Sequence, residues 1–351
     1  MTSYDIPFGS QNPRNSEGAF FALNENEIVF AYSAFIGDSW LDHMPADIRM
    51  TASRDGGETW GEPVTVARAA DYRAMNVMSV SMLPMRNGDM GLFYLVRRSW
   101  TDMYSVFQRS ADGGKTWSAP VRCTARDGYF VVNNDRVIRT SSSRLLVPAA
   151  EHKNKVDAEG NLHFAPAQAT FFYSDDDGCT WHEAETALSL SFPACRSGLQ
   201  EPGIIETSPH CLYGWARTDL GRQYEFRSED DGITWTQAFP SPFTSPLSPL
   251  SMKRLPDGRF IAVWNPVPRS NISEENRATG NRTPLVYALS ADQGKTWSAP
   301  AVIEDDPQSG YCYTAIYPTQ KGVLLAYCAG NARDGGCLNR LRIRRMQLRQ
   351  D

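Results

Sequence analysis

An all-β fold, a six-bladed β-propeller with four-stranded antiparallel blades, is what this 351-residue sequence predicts, and three observations predict it. The first is an octapeptide written five times: "SRDGGETW" from Ser53, "SADGGKTW" from Ser110, "SDDDGCTW" from Ser174, "SEDDGITW" from Ser228 and "SADQGKTW" from Ser290. The second is its spacing, since successive copies start 57, 64, 54 and 62 residues apart. That period suits a unit of four short strands with their turns, and repeats in this range mark propellers, solenoids or arrays. The third is a set of six short apolar runs: "EIVFAYSAF", "GLFYLV", "RLLVPAA", "CLYGWA", "RFIAVWN" and "VLLAYCAG". Each has strand length, and most follow a turn signal. Five marked units and one unmarked stretch give six blades, and residues 1–351 read as a single propeller domain with no linker.

The shared pattern S-x-D-x-G-x-T-W is a turn, not a site. A short Ser or Asp side chain hydrogen-bonds nearby backbone, and Gly supplies the positive φ of a tight turn. Thr and Trp then open a strand, where β-branched and aromatic residues pack well. Only one Asp is fixed per copy, whereas a hard cation needs several oxygen ligands from one loop. The last segment, "LNRLRIRRMQL", alternates apolar and basic residues and reads as a late strand. Pairing it with N-terminal residues would close the ring and remove exposed edges.

Composition excludes several classes. A net charge of −5 gives no basic footprint for nucleic acid. No run approaches the ~20 apolar residues of a membrane span. The start, "MTSYDIPFGSQNPRNSEG", lacks the basic and apolar regions of a secretory signal. Seven cysteines with no C-x-x-C pair point to reduced thiols, so the expected location is cytoplasmic. Five scattered histidines have no metal-ligand spacing, and neither a metal nor another cofactor is expected.

The octapeptides resemble the Asp-box, or BNR repeat, of the sialidase superfamily, and the resemblance covers almost the whole chain. It implies a sialidase-like propeller in which these boxes are structural, so the chemistry must lie elsewhere. "QEPGIIETSPHCLYGWARTDLGRQYEFRSEDDGITW" resembles the family segment in which a Glu starts one strand and an Arg ends the next. The matching positions are Glu201 and Arg217. The resemblance implies that Glu201 assists a tyrosine nucleophile and that Arg217 holds a substrate carboxylate. In "NRTPLVYALSADQGKTW" a second such arginine matches Arg282, with Arg277 as a weaker competitor. "GYCYTAIYPTQKGVLLAYC" resembles the strand pair that starts with the catalytic tyrosine. Counting favours Tyr313, with Tyr311 as runner-up. "GDSWLDHMPADIRMTASRDGG" resembles the loop that carries the acid/base Asp, and Asp42 matches best, with Asp47 close by. His43 is an alternative proton donor, because His is the commonest general acid or base.

One departure stands out. The family's first arginine belongs to an Arg-Ile-Pro strand, and this chain has none. Counting back from "NEIVF" puts Ser16 or Glu17 at that position and leaves Arg14 outside the register. The expectation is therefore that Glu17 stands in for the arginine, accepting sugar hydroxyls or pairing with Arg217 or Arg282, and that ordinary sialosides are poor substrates. A polar run in "YFVVNNDRVIRT", namely Asn134, Asp135 and Arg136 after Asn133, has the hydrogen-bonding character of a sugar site. A turn would look alike.

Together these implications describe a retaining exo-glycosidase that removes a terminal acidic sugar from a glycoconjugate or oligosaccharide. Tyr313 would be the nucleophile, Glu201 its base and Asp42 the acid/base. The alternatives are a propeller that binds carbohydrate without catalysis, or a polysaccharide lyase or atypical glycosidase on the same fold.

Overall fold

The computed structural model describes residues 3–190, 192–271, 279–320 and 322–348. Six antiparallel sheets follow one another along the chain as the blades of a propeller. The first pairs Asn15–Ala22, Ile28–Phe35, Ala46–Ser53 and Val64–Ala67, and the second Asn76–Pro84, Met90–Arg97, Met103–Ser110 and Val121–Arg122. In the third blade the inner strand is split into Phe130–Val131 and Ile138–Arg139, both paired with Leu145–Glu151, followed by Gln168–Ser174 and His182–Glu183. The fourth contains Gln200–Ser208, Cys211–Arg217, Arg222–Ser228 and Phe239–Thr244. The fifth contains Ser251–Arg254, Phe260–Trp264, Leu285–Ser290 and Ala301–Glu304. In the sixth, Cys312–Thr319, Gly322–Cys328 and Leu341–Met346 take their outer strand, Ser3–Asp5, from the N-terminus. The late strand and the ring closure are as the sequence predicts.

All six apolar runs of the sequence are second strands. These sit mid-blade with both faces packed against neighbouring blades, so almost every residue is buried and the alternation of a half-exposed strand is lost. Phe93 stacks on Phe107 at 4.6 Å within one such core, and Trp235 stacks on Phe171 at 4.2 Å in the next.

The octapeptides join third strands to fourth strands, each third strand ending on the octapeptide's Ser. Ring closure also explains why there are five. The sixth blade's fourth strand arrives from the other end of the chain, so it has no such turn to staple. Each turn has one hydrogen-bond pattern. The Ser Oγ donates to the Asp at 2.7–2.8 Å and accepts from the Gly N–H at 2.7–2.9 Å. The Asp also accepts from the Thr N–H at 2.8–2.9 Å and the Thr hydroxyl at 2.5–2.6 Å. One octapeptide aspartate, Asp55, also borders a surface groove with Asn24, Tyr317 and Gln320. That groove lies at the octapeptide end of the ring.

A second device recurs at the axis. The innermost strands of four blades carry a β-bulge, between Ser16 and Ala19, Met78 and Ser81, Gln200 and Gly203, and Cys312 and Ala315. Within each bulge one non-glycine residue has positive φ: Glu17 (56°), Ser79 (57°), Glu201 (47°) and Tyr313 (57°). Asp135 (58°) lies in the gap of the split inner strand. Such conformations are uncommon for residues with a Cβ and cluster at functional sites, where a bulge re-aims a side chain. Here they turn five side chains toward the channel.

Candidate active site

Antiparallel strand order puts the starts of the inner strands and the loops between second and third strands at one end of the ring. The octapeptides fall at the other. Residues from all six blades meet at that first end.

Tyr313 and Glu201, from the inner strands of the sixth and fourth blades, are in contact: the phenol donates to Glu201 Oε1 at 3.1 Å. Arg217, which ends the neighbouring second strand, donates through Nη1 to the same oxygen at 2.7 Å and to the Tyr313 hydroxyl at 3.3 Å. Glu201 Oε2 is buried with no hydrogen-bond partner among the described residues, so it keeps the capacity to accept a proton. Arg282 lies with its guanidinium 5.5 Å from the centre of the Tyr313 ring and donates to Cys312 Sγ at 2.9 Å. Burial pushes the Tyr313 phenol well above its ordinary value, with the Glu201 charge adding to it and Arg217 and Arg282 opposing. Tyr311, the alternative tyrosine, is buried in the blade core against Tyr327. Arg277 lies outside the described residues.

Asp42 comes from the loop between the second and third strands of the first blade, where its side chain keeps a solvent-exposed edge while the surrounding protein partly desolvates it. It pairs with Arg14 Nη1 at 2.5 Å. Burial works to raise its pKa, but the charge and hydrogen bond of Arg14, with the charges of Arg97 and Arg282, outweigh it and hold Asp42 below the usual carboxylate range. Asp47 is occupied elsewhere, accepting from Ala69 N–H at 2.9 Å. The His43 ring lies 5.2 Å from Trp100.

The structure corrects the expectation for Glu17. Arg14, not Glu17, is the arginine of this blade at the site, and it is 1% exposed. Glu17 does not pair with Arg217 or Arg282. Its carboxylate is buried and fully engaged, accepting from Arg14 at 2.9 Å, Ser16 Oγ at 3.0 Å and Ser79 Oγ at 2.9 Å. Burial raises its pKa, against the opposing pull of Arg14 and the two serines. Glu17 holds an arginine in place where the sequence reading had it replace one. The bulge explains the error. Glu17 and Gly18 together oppose one residue, Tyr32, so a count along a regular strand loses the register.

Asn134, Asp135 and Arg136, expected at a sugar site, make ties across the channel. The Asn134 amide donates to Gly18 O at 2.9 Å and Tyr313 O at 3.1 Å. Asp135 accepts from Ile316 N–H at 3.0 Å and pairs with Lys253 at 2.9 Å. Arg136 donates to Leu250 O at 2.5 Å, and burial lowers its pKa to about 10 although Asp135, Glu201 and Tyr313 favour its charge. These bonds join the third blade to the first, fifth and sixth across the axis. They form the floor of the site, and Asn134 fixes the backbone that carries Tyr313.

Sequence reasoning missed one wall. Arg97 ends the second strand of its blade as Arg217 does in the fourth. It donates to Asp42 O and lies 5.8 Å over the Tyr129 ring. Tyr129 in turn meets His152 edge-on at 6.1 Å. Burial lowers the His152 pKa, and the charges of Glu201 and Arg217 reach it. An Arg or His at the end of an apolar second strand was the available signal. Among the described residues no group of three His, Cys, Asp or Glu side chains is placed to hold a metal.

A six-bladed propeller with a Tyr–Glu pair and several arginines at one mouth defines a class of protein. Residues 42–325 match the BNR repeat-like domain, and the chain belongs to that family. A 136-residue stretch is 29% identical to Sialidase-4 of Mus musculus, covering 36% of this chain and 27% of that protein. Among solved structures, a Hadza microbial sialidase superposes with a TM-score of 0.73 at 16% identity, over 96% of this chain and 66% of that one. A protein of unknown function from Dyadobacter fermentans gives 0.71 at 16% identity, over 97% and 96%. Trypanosoma rangeli sialidase in complex with the inhibitor DANA gives 0.69 at 16% identity, over 97% and 59%. The chain thus spans about a quarter of the curated relative and about two thirds of the first of these structures.

Proposed function

We propose that the protein is a retaining exo-glycosidase that removes a terminal acidic sugar of the sialic acid type. The observation that carries this reading is the Tyr313 phenol donating to Glu201 at 3.1 Å inside a ring of arginines. A phenol is a weak nucleophile at neutral pH, and a carboxylate in hydrogen-bonding reach activates it by taking its proton. Most glycosidases use two carboxylates, and sialidases are exceptions with a Tyr nucleophile. The reason is electrostatic, because a neutral phenol approaches a carboxylate-bearing anomeric centre more easily than an anion does.

In this reading Tyr313 Oη attacks the anomeric carbon, Glu201 accepts the phenolic proton, and Asp42 protonates the departing glycosidic oxygen. Asp42 then takes a proton from water, which displaces the tyrosine, and the phenol recovers its proton from Glu201. Arg14, Arg217 and Arg282 supply the cations that hold the sugar carboxylate by charge-assisted hydrogen bonds. Arg217 and Arg282 both border Tyr313, at 3.3 Å from its hydroxyl and 5.5 Å from its ring centre, and Arg14 pairs with Asp42. The low Asp42 pKa fits an anionic substrate. A substrate carboxylate on Arg14 competes with Asp42 for that cation, so binding itself raises the Asp42 pKa toward that of a proton donor. Kinship to proteins named sialidases supports the class, and the fitted substrate is a glycoconjugate or oligosaccharide ending in such a sugar.

The test is release of a chromogenic phenol from aryl sialosides and aryl uronides by the purified protein. Turnover of the α-sialoside, abolished in Tyr313→Phe, is the expected result. A well-folded protein that turns over no acidic glycoside would overturn the reading, and an unsaturated, ultraviolet-absorbing product would replace it with a lyase.

A further inference from the structure

Asp42 is anchored at two places, by its carboxylate and by its main-chain carbonyl. Its loop, residues 36–45, is closed by Ile36 N–H donating to Pro45 O at 2.8 Å. The loop has little packing of its own, since Ile36, Trp40 and Leu41 are all exposed. Hydrogen bonds to other elements hold it instead. On one side Arg14 takes the Asp42 carboxylate and donates to Trp40 O at 3.2 Å. On the other side stands the second blade. Asn76 opens its inner strand, Arg97 ends its second strand, and the two are direct partners across the ladder. Both reach the same atom. The Asn76 amide donates to Asp42 O at 2.8 Å and to Met44 O at 2.9 Å, and Arg97 Nη1 also donates to Asp42 O. Two donors thus fill the two lone pairs of one carbonyl, and one of those bonds is charge-assisted.

Asn76 is fully buried and Arg97 is 6% exposed. Asn76 Oδ1 is buried with no hydrogen-bond partner among the described residues. Turning the amide over would set that oxygen against two carbonyl acceptors, so the orientation is fixed. An unmet buried acceptor costs stability, which an apolar side chain of the same shape would avoid. The fourth blade sets Gln200 opposite Arg217 at the corresponding place, and there the arginine reaches Glu201 and Tyr313. One cross-strand position serves the nucleophile in the fourth blade and the acid loop in the second.

We propose that Asn76 and Arg97 are positioning residues that fix the main chain of Asp42, keeping its carboxyl at the leaving oxygen once the substrate has taken Arg14. The inference rests on the glycosidase reading. In that reading the sugar carboxylate competes with Asp42 for Arg14, so the carboxylate anchor weakens just when the acid must act. The carbonyl anchor does not compete with substrate. With it in place, only the side-chain torsions of Asp42 are left to move. A displacement of about 1 Å in a reacting group can cost about a hundredfold in rate.

The experiment compares two glycosides of one acidic sugar, one that releases lactose and one that releases 4-nitrophenol. The lactose oxygen needs a proton from the acid in order to leave, whereas nitrophenolate departs without one. In Asn76→Ala and Arg97→Met the ratio of kcat/KM for the lactose-linked substrate to that for the nitrophenyl glycoside should fall by about tenfold or more. Arg97→Lys, which keeps a charged donor, should retain more of the ratio than Arg97→Met. A ratio unchanged within about twofold in the variants that melt like the wild type overturns the proposal, even where both rates fall together. A second measurement separates the clamp from the glycosidase reading. Hydrogen-exchange mass spectrometry should show faster exchange in the peptide spanning residues 36–45 of Asn76→Ala than in the wild type. If the wild type turns over neither glycoside, the glycosidase reading fails. Exchange then decides the clamp alone, supporting it if faster in that peptide and overturning it if unchanged.

Discussion

The rim and the axis of this propeller both repeat, but they repeat different things. At the rim five octapeptides share side chains, backbone and hydrogen bonds, and each turn satisfies itself within eight residues. At the axis five positive-φ residues share only the backbone. Their side chains are Glu17, Ser79, Asp135, Glu201 and Tyr313, and each has a hydrogen-bond partner from another blade. Repetition of side chains serves folding, because every blade needs the same turn. Repetition of a bulge with varied side chains serves chemistry, because one geometry presents different groups to a common point.

The largest effect that would break this contrast is at the axis. Tyr313→Phe removes one oxygen and should lower kcat on an acidic aryl glycoside by roughly 10³–10⁴-fold, with an unchanged melting temperature. Steady-state kinetics beside a thermal melt checks both halves. At the rim the signs should reverse. Trp235 is buried against Phe171 and Phe226, and its indole donates to Gly232 O at 3.1 Å. Trp235→Ala should cost about 3–5 kcal/mol in urea unfolding. The protein that remains folded should keep its KM.

A smaller effect is expected at Arg14. Arg14→Ala should weaken transition-state binding by about 1.5–3 kcal/mol, ten- to a hundred-fold in kcat/KM. It should also move a titration. Without that cation the Asp42 pKa rises toward its ordinary value, so the limb of the pH–kcat/KM profile that requires a protonated acid shifts to higher pH. A profile that stays in place would remove Asp42 as the proton donor and return attention to His43.

The smallest effect is at the octapeptide carboxylates. Hydrogen bonds, the threonine hydroxyl's first, hold Asp176 and Asp292 down to about 2. A depressed carboxylate stabilises the fold above its unfolded value of ~3.9 and loses that contribution as pH falls through its folded value. Melting temperature should therefore drop between about pH 4 and pH 2. Asp292→Asn should flatten that slope slightly without altering kinetics near neutrality.

The same contrast explains what the sequence could reveal. The octapeptides are legible because their bonds are local, and the second strands because burial on both faces leaves unbroken apolar runs. Glu201, Arg217, Arg282 and Tyr313 were legible through the resemblance of their segments to the sialidase superfamily, with the landmarks supplying the count. Arg14 was not, because the bulge at Glu17 adds a residue that no letter marks. Asn134, Asp135 and Arg136 were legible as polar but not as ties across the channel, since their partners lie more than 100 residues away. The hairpin at Lys155–His163 has weak strand character and escaped notice.

The central claim is that chemistry resides in Tyr313 at the axis and in no residue of the rim. Its most direct measurement is covalent trapping with a fluorinated acidic sugar bearing a fluoride leaving group, followed by intact-mass and peptide-mapping mass spectrometry. Fluorine beside the anomeric carbon slows both formation and breakdown of the glycosyl-enzyme, and the fluoride leaving group keeps formation the faster step, so the adduct accumulates. The account predicts one adduct per chain, on the peptide containing Tyr313, and none in Tyr313→Phe. An adduct on another residue, or turnover of an acidic glycoside that persists in Tyr313→Phe, would contradict it.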